Sequence, residues 1–106
     1  MSVQVRGQTD ESLDAVIESL TRYEAAHTSA RIDIFRQSFA SIRVRIVDPD
    51  FARVSRTERH DRIWAFLEEL SEEILSQIST VLLLTPEEHK KSFASVEFDE
   101  PVMSSL

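Results

Sequence analysis

Two neighbouring runs of residues constrain the fold of this chain more than anything else in it. Ala30-Arg-Ile-Asp-Ile-Phe-Arg36 and Ser41-Ile-Arg-Val-Arg-Ile-Val47 alternate apolar and polar residues, and only Gln37 to Ala40 separate them. A period of two places successive side chains on opposite faces of a strand, so the pair reads as a β-hairpin. Ile32 and Ile34 share one face with Ile42, Val44 and Ile46. Arg31, Asp33, Arg43 and Arg45 fall on the other, which is expected to be solvated. No Asn-Gly or Asp-Gly pair marks the turn, so turn chemistry does not define the register.

Helical patterns flank the hairpin. Thr9 or Asp10 can cap a helix whose apolar residues recur as Leu13, Val16, Ile17, Leu20 and Tyr23, with Asp10, Glu11 and Asp14 suiting the positive end of its dipole. After the hairpin, Asp48-Pro49-Asp50-Phe51 ends the strand, because proline cannot continue a ladder. Ser55-Arg-Thr-Glu58 has the spacing of a capping box, and His60, Ile63, Trp64, Leu67 and Leu70 then follow the spacing of one buried helical stripe. Ser71 to Gln77 reads as a further capped turn. Ile78-Ser-Thr-Val-Leu-Leu-Leu84 has the apolar end of a strand buried on both faces, and Thr85-Pro86-Glu87-Glu88 opens a short helix.

The expected architecture is α+β with element order αββα(α)βα: a small three-stranded mixed sheet, helices packed on one face, and a helical crossover that permits strands two and three to be parallel. Residues 9–92 form the single domain in this reading. Residues 1–8 are expected to be a flexible tail, and residues 93–106 a second tail with a candidate edge strand where Phe93, Val96 and Phe98 alternate.

Composition removes several chemistries. Among 106 residues there is no Cys and only one Gly. Thiol catalysis and thiolate metal or cluster ligation are therefore excluded within the chain, as are phosphate loops, dinucleotide fingerprints and nucleophile elbows, which need glycines. No apolar run approaches a membrane span and the first twelve residues do not resemble a secretory leader, so a cytoplasmic protein without a membrane contact is expected. The net charge of −7 opposes nonspecific binding to nucleic acid, yet residues 31–62 hold eight Arg against five acids. The middle of an acidic chain is basic.

Val47-Asp48-Pro49-Asp50-Phe51, then Arg59-His60, Ile63-Trp64, Leu67 and Glu68-Glu69-Leu70, with Thr85-Pro86-Glu87-Glu88 after an apolar strand, resembles the BolA family pattern over about residues 42–88. The resemblance implies the BolA variant of a class II KH-like fold. It further implies a cytosolic regulatory or adaptor role in stress response, iron–sulfur handling with a glutaredoxin-like partner, or transcriptional regulation. Four departures stand out, one of them Asp61 in place of a base after Arg59-His60. The Gln37–Ala40 loop holds no His or Cys, Ser79 occupies the place of a third-strand His, and Ala52 and Arg53 replace a glycine usual after the loop Phe. The missing loop ligand and Ser79 argue against the shared-cluster role.

Few single residues suggest chemistry. His60 falls on the apolar stripe with no second His or nucleophile at useful spacing, so it reads as a structural, hydrogen-bonded histidine, and Trp64 reads as the centre of the core. Arg53, Arg56, Arg59 and Arg62, three apart, with Arg43 and Arg45 on the hairpin, form the candidate nucleic-acid or partner-binding face; its alternative is a solvated helix surface balanced by Glu58 and Asp61. The adjacent carboxylates Glu68-Glu69, Glu72-Glu73 and Glu87-Glu88 point to different helix faces and read as solvating surface. No catalytic residue, metal ligand or cofactor is expected. The function expected is non-enzymatic: an adaptor that binds a protein partner, or else a KH-like nucleic-acid binder using the Arg-rich face. Oligomeric state is not legible.

Overall fold

The computed structural model describes residues 3–100 and is an α+β domain built on one four-stranded mixed sheet. In chain order the elements are β1 (Val3–Arg6), α1 (Glu11–Ala26), β2 (Arg31–Ser38), β3 (Ser41–Val47), a 3-10 turn (Pro49–Phe51), α2 (Arg56–Leu67), α3 (Glu72–Leu75), β4 (Ile78–Leu84), α4 (Pro86–Lys91) and α5 (Phe93–Asp99). The strands lie side by side in sequence order. β2 and β3 form the expected antiparallel hairpin with Ile34 opposite Val44, while β1 runs parallel to β2 and β4 parallel to β3.

The α1–α2 side carries the apolar core. Leu13, Val16 and Leu20 of α1 and Ile63 and Leu67 of α2 pack with Ile32, Ile34, Ile42, Val44 and Ile46, all fully buried or nearly so. The caps stand where the sequence places them, but the box expected at Ser55 and Glu58 forms only its Ser55 half. Asp10 accepts the Leu13 amide at 2.9 Å, Ser55 accepts the Glu58 amide at 3.1 Å, and Thr85 and Glu88 close a full capping box.

Four expectations need correction. The sheet has four strands, because Val3–Arg6, expected as part of a tail, pairs along the β2 edge. Four residues beside a polar stretch are too short for alternation to register, and the chain is turned out of β1 by Gly7 at φ +93°, where a Cβ would sit 2.5 Å from the Arg36 carbonyl oxygen. Residues 93–99 are helix α5 instead of an edge strand, started by Ser92, whose hydroxyl accepts the Ser95 amide. Met1, Ser2 and residues 101–106 lie outside the described residues.

Helices cover both faces of the sheet, not one. The face expected to be solvated is closed by α5: Arg45 is 1% exposed, and Asp33 and Arg43 are also buried. Arg45 donates to Asp33 at 2.8 Å, to the Ser95 carbonyl at 3.1 Å and to Asp99 at 2.9 Å. Arg43 makes a bidentate pair with Glu97, and the guanidinium groups of Arg6, Arg43 and Arg45 all lie over the buried Phe98 ring.

The buried stripe of α2 is also rotated from its expected position. Arg59, Ile63 and Leu67 are buried with Phe66 and Leu70 packed beside them, whereas Trp64 is 36% exposed. Trp64 is therefore not the centre of the core. The rotation follows from Arg59, which finds acceptors inside: the carbonyls of Val54 and Leu83, and Glu88 at 2.6 Å.

Candidate functional site

The six arginines proposed as one binding face do not form one. Arg43 and Arg45 are consumed under α5, and Arg59 ties α2 to β4 and α4 while stacking over Phe51. Arg53, Arg56 and Arg62 remain on the exposed side; Arg62 stands 3.8 Å from Glu58, and neither Arg53 nor Arg56 has an ion-pair partner among the described residues. Sequence spacing could not separate these two groups, since their difference lies in carboxylates brought over them from elsewhere in the chain: Asp33, Glu88, Glu97 and Asp99.

Between α2 and β4 runs a shallow groove of about 110 Å³, lined by Arg56, Arg59, His60 and residues Val81 to Leu84. β4 is the outer strand of the sheet on this side, and all seven of its residues are uncharged. His60 is half-buried at the groove wall and makes no side-chain hydrogen bond among the described residues, so the expected hydrogen-bonded core histidine is corrected to a groove-lining one. Trp64 lies one helical turn beyond it, on the same side of α2. The edge position of β4 was not legible from a strand that reads as buried on both faces.

Glu88, beside the groove, is held down to about 2, first by the hydrogen bond from Arg59 and then by the Thr85 amide. Farther round, His89 Nδ1 meets Ser95 Oγ at 2.5 Å, and burial, followed by the charges of Arg45 and Arg31, lowers its pKa. Its ring is turned toward α5 and is therefore unsuited to act on an external ligand.

A second cluster, missed by sequence reasoning, joins the end of α1 to the loop after β3. His27, which caps the C-terminus of α1, places Nδ1 3.2 Å from Asp50 Oδ2 and 3.6 Å from Asp48 Oδ2. Asp48 is fully buried: Tyr23 donates its hydroxyl to Oδ2 at 2.5 Å, and Oδ1 accepts the Asp50 amide at 2.9 Å. The Tyr23 hydroxyl is pushed strongly upward, by burial first and by Asp48 second, so it acts as a donor at all ordinary pH. Tyr23 stacks on His27 with ring centroids 4.2 Å apart and meets Phe66 edge-on. His27 lies 21 residues before Asp48 in sequence, and no local motif signals that they meet.

A larger hollow of about 320 Å³ opens at the N-terminus of α1 beside Asp10 and Arg36. Its charges are already matched, since Arg36 pairs with Asp10 at 2.7 Å and donates to Gln77. No helix among the described residues is long and apolar enough to cross a membrane. Set against protein-family models, curated proteins and solved structures, the chain matches none.

Proposed function

We propose that this chain is a non-enzymatic adaptor of BolA-like type, which binds an acidic extended segment of a protein partner along the outer edge of β4. The observation that carries the reading is the edge strand Ile78–Leu84, seven residues with no charge, no proline and no pairing strand on the outer side among the described residues; Arg59 already takes its Leu83 carbonyl, so Ile78–Leu82 is the stretch to which a partner strand can add. Natural edge strands are normally blunted by charges, prolines or bulges, and an open apolar edge is the template for strand addition. Arg56, without an ion pair, and His60 line the same groove, and Trp64 stands exposed one turn further along α2, which gives an acidic strand a basic and aromatic wall.

The BolA-like part of the proposal draws support from the order α1-β2-β3-α2-α3-β4, which agrees with the family pattern, and from Arg53. That residue holds φ +66° at the place where the family pattern has a glycine near the loop Phe. Ser79, at the place of the family's third-strand ligand, is hydrogen-bonded to Ser41 at 2.5 Å. The role is therefore docking without a shared cluster. Commitment of Arg43, Arg45 and Arg59 to internal carboxylates leaves nucleic-acid binding the weaker reading.

An eight-residue peptide alternating Glu and Val, titrated into the full chain and followed by amide exchange, is expected to protect β4. Arg56→Glu and Val81→Lys should each weaken binding at least tenfold, and the peptide with Lys in place of Glu should not bind. Absence of β4 protection, or self-association of the chain through β4, would overturn the reading. Single-stranded nucleic acid binding with a steep salt dependence that Arg56→Glu abolishes would replace it with the nucleic-acid function.

A further inference from the structure

The His27, Asp48 and Asp50 cluster differs from the other carboxylate groupings of the molecule. Asp10 is paired with Arg36, Asp33 with Arg45 and Arg31, Glu97 with Arg43, and Glu88 with Arg59. Asp48 and Asp50 have no Lys or Arg partner among the described residues, although Asp48 is completely buried. Two carboxylates close together, one of them withdrawn from water, are stabilised by a cation between them, and among the described residues the group that pairs with both is the His27 imidazole.

The geometry of that imidazole suits an ion as well as a proton. A tetrahedral zinc site with metal–nitrogen and metal–oxygen distances near 2.0–2.2 Å has ligand atoms about 3.3–3.6 Å apart. Here Nδ1 of His27 stands 3.2 Å from Asp50 Oδ2 and 3.6 Å from Asp48 Oδ2, and one ligand atom from each of the three residues lies within 4.8 Å of the others. The supporting contacts are those a metal site needs. Tyr23 and the Asp50 amide fix the Asp48 carboxylate, and stacking on Tyr23 fixes the His27 ring. Asp50 is exposed, which leaves an entry path and room for a water as fourth ligand.

We propose that His27, Asp48 and Asp50 form a binding site for a zinc-type divalent transition ion. One imidazole nitrogen with two carboxylate oxygens favours such an ion over calcium or magnesium, which prefer all-oxygen shells. Binding replaces any proton on Nδ1 and joins the C-terminus of α1 to the loop after β3. The site is separate from the β4 groove and does not depend on the docking function.

The test is a titration of metal-stripped full chain with cobalt(II), read by its visible absorption, and with zinc in competition with a chromophoric chelator. One equivalent is expected to bind, with a tetrahedral cobalt spectrum. His27→Gln and Asp50→Asn, both at solvent-reachable positions, should each weaken zinc at least tenfold while circular dichroism shows the fold intact, and His89→Gln should leave affinity unchanged. No zinc binding by the unmodified chain overturns the proposal. So does equal binding by the His27→Gln/Asp50→Asn double variant, which means adventitious surface binding only, or binding that His89→Gln abolishes. Binding of magnesium or calcium that ignores His27→Gln would overturn it as well.

Discussion

The two faces of the sheet are closed by opposite chemistry. Toward α1 and α2 the sheet presents Ile32, Ile34, Ile42, Val44 and Ile46, and the closure is aliphatic and non-directional. Toward α5 it presents Asp33, Arg43 and Arg45, and closure depends on Ser95, Glu97 and Asp99 arriving in register around Phe98. Arg6 adds hydrogen bonds to the Phe98 and Asp99 carbonyls, so α5 also holds β1 in place. The aliphatic face supplies most of the favourable burial. The ionic face contributes little net free energy, because desolvation offsets attraction, but it admits one docking position for α5.

That contrast is sharpest at Arg45. Arg45→Met should cost about 3–5 kcal/mol in urea unfolding, because it leaves Asp33 buried with only the half-exposed Arg31 at 3.4 Å as a partner. On the other face Leu20→Ala should cost about 2–5 kcal/mol through cavity formation. The faces separate in the rescue. Asp33→Leu with Arg45→Met should return to within about 1 kcal/mol of the unmodified chain, since replacing a whole buried pair by apolar groups is often neutral. A double variant as unstable as the single one would show that Arg45 matters for its volume, and the two faces would then be alike.

Acid should separate the faces next. Glu97 is held below the usual carboxylate range by its hydrogen bond from Arg43, Asp99 by that from Arg45, and Glu88 is lowered from 4.5 to about 2 by Arg59. A carboxyl group whose folded pKa lies below its unfolded value contributes stability above the unfolded value, and loses it as pH falls through the folded one. For Glu88 that window runs from 4.5 down to about 2. Amide exchange across this range should show α4 and α5 losing protection before α1. Asp10 is also held low, by the Leu13 amide first and Arg36 second, so the first turn of α1 should fray, yet Leu13, Val16 and Leu20 hold the rest. Simultaneous loss in α1 and α5 would mean that the ionic face has no separate stability.

The same contrast explains what the sequence disclosed. The hairpin, α1, α2, α3, β4 and α4 were legible because their periodicity or caps record an apolar face. The α5 face was not, since Arg43, Asp33 and Arg45 look like solvated residues until Ser95, Glu97 and Asp99 are known to lie over them. Within α5 itself Phe93 and Val96 are exposed while Ser95 is buried, which inverts the usual polarity rule, and only the buried Phe98 follows it. Arg59 misled in the same way, and its burial shifted the stripe that had been centred on Trp64. The site residues suffered most: three arginines expected to meet a partner meet carboxylates of this chain instead, and the His27 cluster depends on a contact between distant segments that no spacing reveals.

The smallest expected effect lies at Arg53, an exposed residue on neither face, and it measures how far the loop after Phe51 is coupled to them. Its φ of +66° is the left-handed conformation, which costs a non-glycine residue about 1–2 kcal/mol. Glycine removes that cost but makes the unfolded chain freer, which offsets the gain by about 0.4–1 kcal/mol. Arg53→Gly should therefore raise unfolding free energy by about 0.5–1 kcal/mol, whereas Arg53→Ala keeps the strain and should change it by less than about 0.5 kcal/mol. Both changes should leave the acid behaviour of α5 untouched, because Arg53 makes no ion pair there. If Arg53→Gly instead destabilised the chain by as much as Arg45→Met, the loop would be holding the ionic face in register, and the division between a tolerant aliphatic face and a self-contained ionic one would fail.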